Sequence, residues 1–217
     1  MTIACLHTAE SNIAVFEEAA GRLGLSAGTL RHTVRADLLQ AAERAGGLTP
    51  EIEAETRLVL LSLGQDADGV LLSCSTLGPA ADIITSSTEI PTLRADGALA
   101  RRAVAGGGRV VVLCSVETTL APTTALFRAA ALETSADVDV RLVAGAWDLF
   151  RAGDTAAYLK VIAEASDKAY AEGASVVALA QASMTGADRF AKGSKMPLSS
   201  PLIGLAAITE RAASPKV

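Results

Sequence analysis

The 217-residue sequence holds three cysteines, Cys5, Cys74 and Cys114, and two histidines, His7 and His32. Cys74 has the surroundings that suit reactivity. It follows the aliphatic run Gly69–Ser73, precedes Ser75-Thr76, and lies just ahead of the helix-opening pair Gly78-Pro79. A thiol at a strand mouth and a helix start meets free backbone N–H groups and the positive end of the helix dipole. Both stabilise a thiolate and make the sulfur an acid/base or a nucleophile. The plainer role of any of the three is a small buried hydrophobe. Their number is odd and their spacing matches no metal-ligand pattern, so free thiols in a reducing compartment are expected, with no metal.

Hydroxyls and amides form three further clusters. Thr8, Ser11 and Asn12 follow one apolar run; Ser115, Thr118 and Thr119 follow a second; Gln181, Ala182 and Ser183 follow a third. With Ser75 and Thr76 they suit a small carboxylate, or the enediolate formed when its α-proton leaves, without needing a cation. Helix capping explains hydroxyls at such places equally well. Glu10 and Glu117 complement helix dipoles. His7 is a candidate base or a satisfied strand-end histidine, His32 is structural or solvent-facing, and Trp147 serves packing.

The elements that carry these residues alternate between strand and helix. The sequence predicts strands over Thr2–Leu6, Thr29–Val34, Gly69–Ser73, Val110–Leu113, Val138–Val143 and Ser175–Ala180. Ile13, Phe16, Ala20 and Leu23 recur near helical spacing, with Gly24 as a stop. Ala36–Ala45 reads as a short helix. Thr49-Pro50-Glu51 opens another, with a hydroxyl cap, proline at the first position and an early acid. Asp154 is placed to cap Thr155–Ala171, Gly173 to end it, and Ile203–Ala213 is helical. Alternation of this kind predicts an α/β fold with right-handed crossovers and parallel sheets.

The chain also repeats itself. Leu6-His7-Thr8-Ala9-Glu10-Ser11 lies over Leu113-Cys114-Ser115-Val116-Glu117-Thr118, and Cys74-Ser75-Thr76-Leu77 over Gln181-Ala182-Ser183-Met184, both at an offset of 107. Pro91 matches Pro197 at 106. In parallel α/β units ligands bind beyond the carboxyl ends of strands, near helix N-termini. Two duplicated halves are therefore expected to place four polar strand ends around one cleft, related by a pseudo-twofold axis.

These residues resemble the aspartate/glutamate/hydantoin racemase superfamily. Leu72-Ser73-Cys74-Ser75-Thr76-Leu77-Gly78 resembles its strand-Cys-Asn/Ser-Thr signature, Ile90–Asp96 its crossover, and Val176–Met184 its second catalytic strand. The resemblance spans essentially the whole chain. It implies two pseudo-symmetric flavodoxin-like lobes, residues 1–95 plus 200–217 and residues 96–199, with the active site in the interlobe cleft. It implies no cofactor, a small carboxylate substrate such as an amino acid or hydantoin, and a homodimer. Racemases of the family work with two cysteines on opposite substrate faces. Cys74 falls on the first position and Gln181 on the second.

An amide has no titratable proton, so Gln181 takes no acid/base role. Cys114 follows the strand where the family keeps substrate-binding residues. Several outcomes stay open: racemisation with another second base, isomerisation, one-cysteine decarboxylation of a malonate-type acid, and small-ligand binding without catalysis. A redox thiol lacks a partner cysteine nearby in sequence.

Composition narrows the classes further. The formal net charge is −5, with acids and bases interspersed, so nucleic acid is not expected as a partner. No apolar run approaches the roughly 20 residues of a membrane span. The N-terminus lacks the basic flank and apolar stretch of a secretory signal, which predicts a cytoplasmic protein.

Overall fold

The computed structural model describes residues 1–85 and 88–214. Two compact units emerge, Met1–Ala98 with the stretch from Pro201 onward, and Leu99–Ser200.

The first unit runs β1 (Ile3–His7), α1 (Ser11–Arg22), β2 (Leu30–Val34), α2 (Ala36–Ala45), α3 (Pro50–Gly64), β3 (Gly69–Leu72), α4 (Gly78–Thr85) and β4 (Thr92–Arg94), leading into α5 (Ala95–Val104). Its four strands are parallel in the order β2-β1-β3-β4. β1 and β3 are fully buried, which is why they read as unbroken apolar runs in the sequence. Ala4, Leu6, Val70 and Leu72 pack with Leu38, Leu60, Leu77 and Ile84 into one core.

The second unit repeats the scheme with β5 (Gly108–Cys114), α6 (Leu120–Ala131), β6 (Ala136–Leu142), α7 (Ala146–Arg151), α8 (Thr155–Ala171), β7 (Val176–Leu179) and β8 (Leu198–Ser199). Its order is β6-β5-β7-β8, again all parallel. Val111, Leu113, Val177 and Leu179 meet Tyr158, Ile162 and Met184 in its core. The last helix, α9 (Ser200–Ala213), returns to the first unit, where Ile208 lies against Gly69.

The duplication is preserved in register. Leu6 pairs with Leu72 in the first sheet and Leu113 with Leu179 in the second, so the offset of 107 holds for both partners. Each sheet winds outward in two directions from its central pair, so its topological switch point lies between β1 and β3, or between β5 and β7. The polar clusters follow those four strands.

Local signals explain several boundaries. Thr49 Oγ1 accepts from Ile52 N at 3.4 Å, and an Asp154 carboxylate oxygen accepts from Ala157 N at 3.1 Å, so both predicted caps form. Gly24 and Gly173 leave their helices at φ +70° and +94°, values that side chains disfavour. β4 and β8 are corrections to the sequence reading, which has no strand there. At three and two residues they are too short to show periodicity. Each follows one of the matched prolines, Pro91 or Pro197, and runs straight into a helix. Helices α6 and α7 likewise lie where no element is predicted. Among the described residues no helix is long and apolar enough to cross a membrane.

Candidate active site at the strand ends

In the first unit the switch point brings Thr8, after β1, to Cys74, after β3. The Thr8 hydroxyl hydrogen-bonds the Cys74 sulfur, and the backbone N–H groups of Leu77 and Thr76 point to it from the turn into α4. Cys74 is 8% exposed and belongs to the buried apolar cluster of the first unit rather than being open to solvent. Burial pushes its thiol up, and the Asp96 carboxylate adds to that. The Thr8 hydroxyl and the two N–H groups pull the other way without cancelling it. The resting sulfur is therefore a neutral thiol with stabilisers for a thiolate already in place.

A buried ion pair underlies this turn. Arg94 Nε donates to Asp96 Oδ1 at 2.7 Å and its Nη2 to Asp96 Oδ2 at 2.8 Å, while Nη1 reaches Asp82 Oδ2 at 2.8 Å. Nη2 also donates to the Ser75 carbonyl at 3.4 Å, tying the guanidinium to the residue after Cys74. Gly78 is required by this arrangement. A Cβ there would stand 2.1 Å from Arg94 Nη2, and Arg94 is pinned by two carboxylates.

The other predicted residues of this unit divide. Ser75, Thr76 and Asn12 are buried and Ser11 is exposed. Glu10 is the N-cap of α1 with no side-chain cap bond, so Thr8 and Ser11 do not serve as its cap. Asn12 Oδ1 is buried and has no hydrogen-bond partner among the described residues, an acceptor that a bound donor or water would satisfy. His7 is a satisfied strand-end histidine: Nδ1 lies 2.9 Å from Ser73 Oγ and Nε2 2.9 Å from His32 Nδ1. Burial, then His32, lowers its pKa to about 3, so the ring stays neutral.

In the second unit Ser115, after β5, meets Gln181, after β7. Gln181 Oε1 accepts from Ser115 N at 2.7 Å and from Ser115 Oγ at 3.1 Å, and its Nε2 donates to Thr119 Oγ1 at 3.0 Å. Thr119 Oγ1 in turn donates to the Val116 carbonyl at 2.6 Å. Ser115 Oγ also lies 3.1 Å from Tyr158 Oη, which is 2.9 Å from Ser183 Oγ. Ala182 is buried, whereas Thr118 and Ser183 are half-buried. Cys114 is the repeat counterpart of His7. Strand alternation points it to the opposite face from Leu113. Trp147 stacks on Phe150, with ring centroids 4.9 Å apart.

Sequence reasoning missed Tyr158, Arg94 and Asp96. Tyr158 was detectable as an aromatic hydroxyl on the apolar face of a helix in a chain with only two tyrosines. Arg94-x-Asp96 was detectable as opposite charges two residues apart, just after Pro91-Thr92-Leu93.

The model of a family described as Asp/Glu/hydantoin racemase matches residues 36–208. No curated protein matches the chain in sequence. An aspartate racemase from Picrophilus torridus superposes with a TM-score of 0.73 at 12% identity, over 100% of this chain and 96% of that one. An allantoin racemase from Pseudomonas fluorescens gives 0.66 at 14% identity, over 100% and 94%. A glutamate racemase from Bacillus anthracis gives 0.69 at 15%, over 98% and 82%. At these identities the likeness shows a common α/β fold.

Proposed function

This chain belongs to the Asp/Glu/hydantoin racemase family, and from that membership we propose a racemase-type enzyme that moves a proton at the carbon beside the carboxylate of a small acid. The reaction needs no cofactor, and Cys74 is its acid/base. The substrate is an amino acid, a hydantoin or a related acid. The observation that carries the reading is the Cys74 sulfur itself, set at the switch point of its sheet with a hydroxyl and two backbone N–H groups directed at it. These donors stabilise the thiolate left when the proton is delivered and the thiolate needed to remove one. Thr8, Asn12 and Thr76 are the proposed substrate-binding groups of the first unit, the hydroxyls serving the carboxylate, and the orphan acceptor Asn12 Oδ1 supports a contact with a substrate N–H.

A second reading has its own support. The residue matching Cys74 in the repeat is Gln181, and burial keeps the Cys74 thiol protonated at rest. One protonated thiol is suited to quenching a carbanion from one face, as in decarboxylation of a malonate-type acid. The test is incubation with amino acids, hydantoins and substituted malonates in deuterium oxide. Racemisation puts deuterium on the α-carbon and scrambles its configuration. A lyase releases carbon dioxide and leaves one deuterium with defined configuration. Thermal stabilisation by a carboxylate with neither exchange nor carbon dioxide overturns both and leaves a binding protein.

A further inference from the structure

Cys5, His7 and His32 gather on the face of the first sheet covered by α1. The parallel register sets Cys5 beside His32, and Cys5 and His7, two apart on β1, leave the strand on the same side. Phe16 of α1 packs on the His7 ring with centroids 5.0 Å apart. One donor atom from each of the three residues lies within 4.8 Å of the others. His7 Nε2 and His32 Nδ1 stand 2.9 Å apart. Two imidazole nitrogens on one tetrahedral ion, each at about 2.0–2.1 Å, are separated by about 3.3 Å. A shift of a few tenths of an ångström therefore opens the pair to an ion.

The outer nitrogens support the same reading. His7 Nδ1 is held by Ser73 Oγ at 2.9 Å, and Ser73 Oγ donates to the Leu6 carbonyl at 3.2 Å. His32 Nε2 is held by Glu17 Oε1 at 2.9 Å. Metal-binding histidines carry such a partner on the non-ligating nitrogen, where it fixes tautomer and ring orientation. The approach lies on the Glu17 side: the His32 side chain is 11% exposed and that of Glu17 50%. None of these groups has a part in the chemistry assigned to Cys74. Leu6, which packs with Cys74, leaves β1 on the opposite face.

We propose that Cys5 Sγ, His7 Nε2 and His32 Nδ1 form a three-ligand site for a borderline divalent ion of the zinc class, with Ser73 and Glu17 as its outer partners. One thiolate and two imidazoles favour zinc, cobalt or nickel over magnesium or calcium, which take oxygen ligands. On ligation the Cys5 thiol releases its proton to solvent, the imidazoles bind as neutral rings, and water fills the fourth position.

The full chain, stripped with a chelator, is titrated with Zn²⁺ against a chromophoric competitor and with Co²⁺ for its absorption spectrum. The expected result is one Zn²⁺ per chain, and a four-coordinate Co²⁺ spectrum with a thiolate charge-transfer band that disappears in Cys5→Ala. His32→Gln, at the edge of the cluster, weakens Zn²⁺ binding by at least about tenfold while its circular dichroism stays unchanged. Cys74→Ala and Cys114→Ala bind as wild type does. Failure to bind Zn²⁺, a Co²⁺ band that survives Cys5→Ala, or unchanged affinity in His32→Gln overturns the proposal. The contacts are then a hydrogen-bonded chain from Glu17 to Ser73. If Cys5→Ala does not fold, His32→Gln decides alone.

Discussion

Gln181 Oε1 accepts the backbone N–H of Ser115 at 2.7 Å, joining the ends of β7 and β5 at the same place in the second unit where Thr8 joins Cys74 in the first. The repeat has kept a bridge across the switch point and changed its chemistry. One bridge is built on a thiol, which has an ionisable proton, the other on an amide, which has none. With Ser115 Oγ and Thr119 also bonded to it, the Gln181 side chain makes three hydrogen bonds inside its own unit. Its first duty is to hold those loops.

Replacing that amide therefore shows in stability. Gln181→Ala leaves the Ser115 N–H without its protein acceptor and removes the tie to Thr119. A loss of about 1–3 kcal/mol is expected, read from the urea midpoint at unchanged slope. Gln181→Glu keeps the acceptor but loses the donor to Thr119, and falls between wild type and alanine.

Thr8→Val tests the other bridge. Valine fills the same space and removes the hydroxyl that lowers the thiol pKa. The pH profile of Cys74 alkylation, followed by mass spectrometry of the peptide, is expected to move to higher pH. Turnover on any substrate found falls by about three- to tenfold.

Gly78→Ala tests the support beneath the thiol. The new methyl group meets Arg94, which is buried and held by Asp82 and Asp96, so relief requires breaking an ion pair or moving α4. The expected cost is about 3–5 kcal/mol, that of breaking a buried pair. Arg94→Met, which strands Asp96, is expected to cost a similar amount. Chemical denaturation of both variants checks this.

Stability at alkaline pH follows from the raised thiol. A group whose folded pKa lies above its unfolded value contributes stability that is fully present below the unfolded pKa and is lost as pH rises past it. Cys74 is of this kind. Wild type is expected to lose stability more steeply than Cys74→Ala as pH rises beyond about 8.5, the ordinary thiol value. Urea titrations at a series of pH values measure the difference.

The legible parts of the fold are those written locally. β1, β3, β5 and β7 are buried on both faces and so appear as aliphatic runs, and the Thr49 and Asp154 caps need only a neighbour three residues on. β4 and β8 exist because β3 and β7 offer them an edge, which no window of sequence reveals. The candidate site divides in the same way. Cys74 and Gln181 stand out through the repeat. Tyr158 reaches Ser115 across 43 positions, and Arg94 reaches Asp82 from the far end of another element. Cys5, His7 and His32 escape metal-ligand spacing rules because strand register, not sequence distance, unites them.

The most direct measurement is α-proton exchange by the wild type and Cys74→Ala, on whichever small carboxylate the wild type exchanges fastest in deuterium oxide. Loss of exchange to the uncatalysed rate in Cys74→Ala, with Cys114→Ala unaffected and both variants folded, is the expected result. Exchange that persists in Cys74→Ala at the wild-type rate would contradict the role of this thiol.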